Sequence, residues 1–418
     1  RCLYSKDVPN LFLAGRNISA THMAFSSARV MGTCAVEGQA VGTAAWLCVQ
    51  HECLPRDVAT AHIEELQQTL LRDDCYIPGV RNRDKGDLLL GATVTETSHY
   101  GPLEMTRFDR MQTLDSARAQ MFTVSEPYLE RVSVWLESEA KEDVEVRASL
   151  YRAEHLNDFS STDPIAVAVA MLPPKRQVWV TFPFETTVEP GGCYWIKLDE
   201  NRKVKWGMVE DSIPGALRSE YMDFRKLWLS RQGCHTFRIA PKSYPYRGAN
   251  VVSGGARPER GPELWISDPG ARLPQSLEIE LDGRPEVDTI YLTFDTNLDK
   301  LVSFGPAPEC VRDYTISYLN DQGEWEPIVR ETNNHHRRRR HEFPPIHVSK
   351  LRLTVTATNG DPSARVYQIQ AYRERPEEPI EVPEEEAAVE AEVEGETPPA
   401  ETETEGQPEP EGTAATES

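Results

Sequence analysis

Between residues 91 and 375 the chain is cut into short β-branched or aromatic runs separated by turn residues. Few folds accommodate that pattern. Short alternating runs cannot make long helices, and their one-sided apolar faces must be buried by stacking sheet on sheet. Val132–Leu136, Val144–Leu150, Val178–Phe182 and Cys193–Leu198 are the clearest strands of a first set spanning 91–245, with Pro190-Gly191-Gly192 as a turn. A second set spans 246–375. Its clearest members are Leu277–Leu281, Thr289–Phe294, Asp313–Leu319, Trp325–Arg330 and Lys350–Thr356, and Asp321-Gln322-Gly323 turns one into the next. No fixed-period repeat runs through the chain. The pattern predicts two jelly-roll-like β-sandwiches.

The flanks read differently. Residues 1–78 suggest a short strand at Asn10–Ala14, an Ala/Gly-rich helix from Val30 to about Gln50, and a helix from Arg56 to about Leu71, with Asp57 capping its start. Residues 79–90 are charged and read as a linker. Residues 376–418 hold sixteen Glu, no basic residue and almost no large apolar side chain, so disorder is expected there. That tail supplies most of the net charge of -22. The remainder is near -6 and argues against nucleic acid as a partner. No run of about 18 apolar residues exists to span a membrane. Nothing in the residues sets a compartment, and bacterial cytoplasm and export both stay open. The eight cysteines form no C-x-x-C pair, and no Cys/His spacing suits zinc, so no metal site is expected and mainly reduced, buried thiols are.

The stretch Asn10–Ala45 carries the chemistry. An apolar run ends at Gly15-Arg16, where a missing Cβ lets a ligand approach the backbone. A loop with Ser19, His22, Ser26 and Ser27 follows, and a helix begins near Met31-Gly32-Thr33. The first turn of a helix presents unpaired N–H groups and a positive dipole end, which suits an anion. Gly38 and Gly42 share one helix face, each at a cost of about 1 kcal/mol relative to Ala. Tight packing on a sheet and close approach of a ligand both remain open for them.

This stretch resembles the last FAD-binding segment of flavoproteins of the glutathione-reductase and fumarate-reductase type, and in particular the bacterial FAD-dependent oxidoreductases. The resemblance rests on N-L-F-L-A-G-R at 10–16, Ser19 and His22, Arg29-Val30-Met31, and Gly38-Gln39-Ala40-Val41-Gly42 with Ala44 and Ala45. It implies that Gly15 and Arg16 lie near the ribityl and pyrophosphate of FAD. It implies that Met31, Gly32, Thr33 and Cys34 form the helix start under the pyrimidine edge of the ring, with Arg29 supporting that turn. His22 would face a small-molecule substrate as an acid or base, with a purely structural role equally open. The G-x-G-x-x-G fingerprint that grips the adenosine diphosphate half is absent from the 418 residues. So are the cysteines that relatives use for 4Fe-4S clusters. The resemblance therefore implies a C-terminal portion of such an enzyme, inactive alone.

Residues 246–375 resemble a discoidin-like, galactose-binding-like domain, on Leu264–Ser267, Leu273–Leu277, Ile290–Asp295, Trp325 and Lys350–Thr358. Such domains bind sugars or other surfaces through end loops, or serve as spacers. The run His335-His336-Arg337-Arg338-Arg339-Arg340-His341 could bind a glycan or other polyanion, could hold a metal through its histidines, or could be a solvated edge strand. The acidic tail could fold back on it. Trp135, Trp179, Trp195, Trp206, Trp265 and Trp325 read as core, with Trp265 as the best exposed sugar platform. Asn17-Ile18-Ser19 matches a glycosylation sequon but reads as part of the flavin loop. The fold class expected is multidomain and mainly β, with an N-terminal α/β fragment of an FAD-binding domain, two sandwiches and an acidic tail. The function expected is an FAD-dependent oxidoreductase. The alternative is a carbohydrate- or surface-binding module carrying a flavoprotein remnant.

Overall fold

The alternating runs form strands that bury every second side chain. In the computed structural model, which describes residues 2–298 and 305–375, Tyr128–Ser138 turns Val132, Val134 and Leu136 inward and Ser133 and Trp135 outward. The tail from 376 and its suggested fold-back lie outside the described residues.

Two six-stranded antiparallel sheets make the first sandwich. One runs Leu227–Arg231, Arg218–Met222, Arg118–Thr123, Cys193–Leu198, Val144–Ala153, Ala166–Leu172. The other centres on Asn201–Val209 and Tyr128–Ser138, with Gln177–Thr187 and Arg110–Leu114 paired alongside. Phe122, Phe182, Ile196, Trp206 and Phe237 fill the space between them. The second sandwich stacks a five-stranded sheet (Thr93–Glu96, Gln275–Glu280, Lys350–Thr358, Val311–Leu319, Trp325–Glu331) on a four-stranded one (Trp265–Ile266, Arg365–Tyr372, Glu286–Phe294, Arg338–His347). Asn320 closes the hairpin expected at 321–323: its side-chain oxygen accepts the N–H of Gln322 and of Glu324.

Two expectations about boundaries do not hold. Residues 79–90 are not a linker. Leu89 is fully buried in the second core, Leu88 N–H donates to the Ala371 carbonyl, and Asn82 N–H donates to the Gly254 carbonyl. One of the charges that suggested solvent is satisfied inside: Asp87 accepts from Asn82 Nδ2 at 2.8 Å and from the Leu89 and Ala371 amides. Burial pushes its carboxyl up to about 6, against those hydrogen bonds. The strand Thr93–Glu96 pairs with Gln275–Glu280, so it belongs to the second sandwich rather than to a domain starting at 91.

The N-terminal part is helical: α1 (Phe25–Ala28), α2 (Met31–Gln50), α3 (Pro55–Ala61) and α4 (Ile63–Arg72). The strand expected at Asn10–Ala14 is reduced to a single bridge between Tyr4 and Phe12, and among the described residues no strand pairs with it. The helix expected over 56–71 breaks at His62 (φ -125, ψ 19) into α3 and α4. Asp57 is not the cap residue. It lies three residues into α3 and accepts the Leu54 N–H at 3.0 Å.

Asp74 fastens this helical part to the second sandwich. Its carboxylate takes two bonds from Arg257 (2.6 and 3.2 Å) and one from Arg337 Nε (3.0 Å), all three side chains mostly buried. Arg338 adds a bond to the Arg72 carbonyl while lying over the Tyr291 ring at 4.6 Å. Asp74→Ala would leave two guanidiniums buried without this partner. The expected loss is about 3–5 kcal/mol, read as a lower denaturation midpoint of the full chain; an unchanged midpoint would refute the clamp.

Candidate functional site

The residues expected from the sequence to carry ligand chemistry lie at the start of α2 and in the turn before it. Gly15 opens a 3-10 turn (Gly15–Asn17) with φ +70, a conformation that costs most other residues about 1–2 kcal/mol. Its N–H donates to Glu37 Oε2 at 2.9 Å, and a Cβ here would lie 3.8 Å from Cys34 Cβ. The turn at Gly15 is thus held against the first turns of α2. Val30 caps α2 in extended geometry with no side-chain hydrogen bond to the helix. The amides of Met31, Gly32 and Thr33 therefore start the helix without a capping side chain. Met31 is 90% exposed, and a Cβ on Gly32 would meet nothing within 4 Å.

The flank of α2 is equally open. Gly32, Ala35, Gln39, Gly42, Trp46 and Val49 fall three or four apart on one face and all are exposed, Trp46 at 51% and Val49 at 74%. Gly38 and Gly42 meet no atom that a Cβ would crowd. The close approach those glycines allow is used by no described residue. The opposite face is covered: Ala44 and Leu47 pack on Phe12, Val58 and Leu66. Next to them burial pushes the Cys48 thiol up to about 11, helped by the neighbouring Cys53.

Residues 1–70 match the family model of the FAD dependent oxidoreductases. No curated protein matches the chain. Among solved structures, it is similar to the family 32 carbohydrate-binding module of Streptococcus pneumoniae EndoD, at 21% identity and a TM-score of 0.27 over 31% of this chain and 87% of that one. It is also similar to the family 32 module of C. perfringens NanJ solved with galactose, at 19% identity and a TM-score of 0.25 over 31% of this chain and 86% of that one.

Within residues 1–70 the expected residues separate into two groups. Gly15, Met31, Gly32, Thr33 and Cys34 gather where the turn meets α2. Arg16, His22 and Arg29 are exposed around it, on the turn and on either side of α1.

Two other candidate surfaces are taken up by the fold itself. The run 335–341 is neither a free polybasic patch nor a merely solvated edge. Arg337 and Arg338 point into the junction with the helices, Arg339 pairs with Glu331, and Arg340 pairs with Glu374. His341 accepts or donates with the Tyr314 hydroxyl at 2.7 Å, and burial pushes it down to about 4. Trp265 is not a sugar platform. It is fully buried, with its indole N–H on the Ser98 carbonyl at 2.9 Å. Trp195 and Trp206 are core as expected. Trp135 and Trp179 instead sit together on an outer face, where Arg238 lies 4.1 Å over Trp179. Trp325 is half-buried beneath Arg352, at 3.8 Å.

One cluster escaped the sequence reading. His51, just past α2, His62, at the α3–α4 break, and Glu65, one turn into α4, bring one ligand atom each within 4.8 Å of one another. The spacing H-x10-H-x2-E matches no common local motif, because three elements supply the three groups.

The glycines test whether the α2 face is bare. Gly38→Ala and Gly42→Ala should each stabilise this chain by up to about 1 kcal/mol, while Gly15→Ala should destabilise it by about 1–2 kcal/mol. Thermal melts of the three variants decide it; a large loss with Gly38→Ala would mean that the face is packed in solution.

Proposed function

We infer that residues 1–72 form the closing segment of the flavin site of an FAD-dependent oxidoreductase, and that the two sandwiches are appended to it. The family match over residues 1–70 carries this reading. The uncapped start of α2 and its bare flank support it. The residues fit one edge of the cofactor only. A grip on the adenosine diphosphate half would come from residues outside these 418, since no G-x-G-x-x-G occurs among them.

Bound FAD would supply the two-electron chemistry. The chain's own part is electrostatic and positional. The Met31, Gly32 and Thr33 amides, with the helix dipole behind them, hold negative charge on the pyrimidine edge of the ring. Cys34 packs at Gly15, and Glu37 fixes the Gly15 turn by accepting its amide, so the backbone that faces the ribityl and pyrophosphate keeps its shape. Arg16 carries a positive charge at that turn, and Arg29 supports the entry into α2. His22, exposed on the loop before α1, is placed to hold or move a proton on a small-molecule substrate.

Gly32→Asp separates this role from folding. The position has open space, and an acid at a helix start favours the helix slightly, so stability should hold or rise by up to about 1 kcal/mol. The new carboxylate would repel the flavin edge. In the intact gene product, purified gently, yellow flavin absorbance should fall at least tenfold in the variant. A product that is colourless before mutation, and stays so after incubation with FAD, would remove the reading.

A second reading concerns the second sandwich. Thr95–His99 and Arg247 line an open groove, in which Glu96 pairs with Arg247 at 2.5 Å and with His99 at 3.4 Å. These convergent polar groups suit hydroxyl-rich ligands, and we propose the groove, not the 335–341 run, as the place for a glycan. Glycan-array binding lost in Arg247→Ala would support it; binding unchanged by that substitution would place the ligand elsewhere.

A further inference from the structure

We propose that His51, His62 and Glu65 form a binding site for a divalent transition metal, with zinc as the expected occupant. His51 Nε2 lies 2.9 Å from Glu65 Oε2, and His62 Nδ1 lies 3.6 Å from the same oxygen. The edges of a tetrahedron with metal–ligand bonds of about 2.0–2.1 Å are about 3.4 Å long. The two measured separations straddle that value, and all three ligand atoms lie within 4.8 Å of one another on partly exposed side chains.

The two imidazoles stack with centroids 4.0 Å apart and planes 15° from parallel, and both bring a nitrogen near a single carboxylate oxygen. Lone pairs lie in the ring planes, so the partly exposed rings must tilt for both nitrogens to meet one ion beside that oxygen. Two imidazoles and one carboxylate suit zinc and its neighbours, whereas magnesium and calcium prefer sets built of oxygen.

Among the described residues, the hydrogen bonds and ion pairs of these three side chains are made with one another. His51 follows the last turn of α2, and His62 interrupts the run between α3 and α4. An ion here would tie the end of α2 to the start of α4, closing the helical segment on the side away from the Gly15 turn. Side-chain exposures of 35% for His51 and 44% for Glu65 leave a fourth position to solvent, for water or a small anion. The site stands independently of any flavin.

The test uses the full 418-residue chain, stripped with chelator and titrated with Co(II) as a spectroscopic probe. Saturable tetrahedral absorption at one equivalent, displaced by one equivalent of zinc, is expected. Zinc should raise the melting temperature of the parent chain. His51→Gln and Glu65→Gln change partly exposed side chains, and circular dichroism will report whether they fold. Each should weaken Co(II) binding at least tenfold and abolish the zinc effect on melting. Equal binding in folded variants and parent would overturn the site. So would a thiolate charge-transfer band lost in Cys53→Ser, which would place the ion on the Cys48–Cys53 pair instead.

Discussion

The carboxylate of Asp74, shared by Arg257 and Arg337, is the contact on which the arrangement of this chain turns. It joins three stretches distant in sequence: the end of the helical segment, the loop after residue 253 and the edge strand that begins at Arg338. Burial pushes the Asp74 carboxyl up, and Arg257 beside it pulls in the opposite direction. Removing two guanidiniums and a carboxylate from water is repaid only when geometry is good and the remaining donors find partners. They do: the spare nitrogens of Arg337 reach the Phe294 and Ala256 carbonyls. The ion pairs therefore fix where α4 ends on the sheet, and with it the orientation of α2.

What the sequence made legible was whatever depends on local periodicity. The strands of both sandwiches follow from alternation, as in Val132, Val134 and Leu136 against Ser133 and Trp135, and the turn at 320–324 follows from its Asn and Gly. What it hid depends on partners far along the chain. Arg337 reads as a surface cation until Asp74, 263 positions earlier, is brought beside it. Asp84, Lys85 and Asp87 look like solvent-facing linker charges, yet Asp87 is caged by amides of Leu89 and Ala371. The same limit applies at the candidate site. Gly15, Gly32 and the α2 start were visible as a motif, whereas the His51–His62–Glu65 convergence exists only once α2, α3 and α4 have packed.

Helix α2 has two unlike faces. One face is dry, closed by Leu47 and Val58. The other is exposed, and a Cβ at Gly32, Gly38 or Gly42 would meet nothing within 4 Å. The same segment is thus anchored by the residues that follow it and left open toward the flavin chemistry it is proposed to serve.

The pairing of Thr93–Glu96 with Gln275–Glu280 makes the second sandwich discontinuous, with the whole first sandwich interposed between its first and remaining strands. The two ends of that insert meet, since Leu103 N–H donates to the Ser243 carbonyl and Met105 bridges to Phe237. During synthesis, the early strand leaves the ribosome long before its neighbour exists. The inserted sandwich can close first, and closing it carries the stranded segment to the spot where its later partner arrives. A long-range pairing that loop entropy would otherwise make slow is thereby turned into a short search.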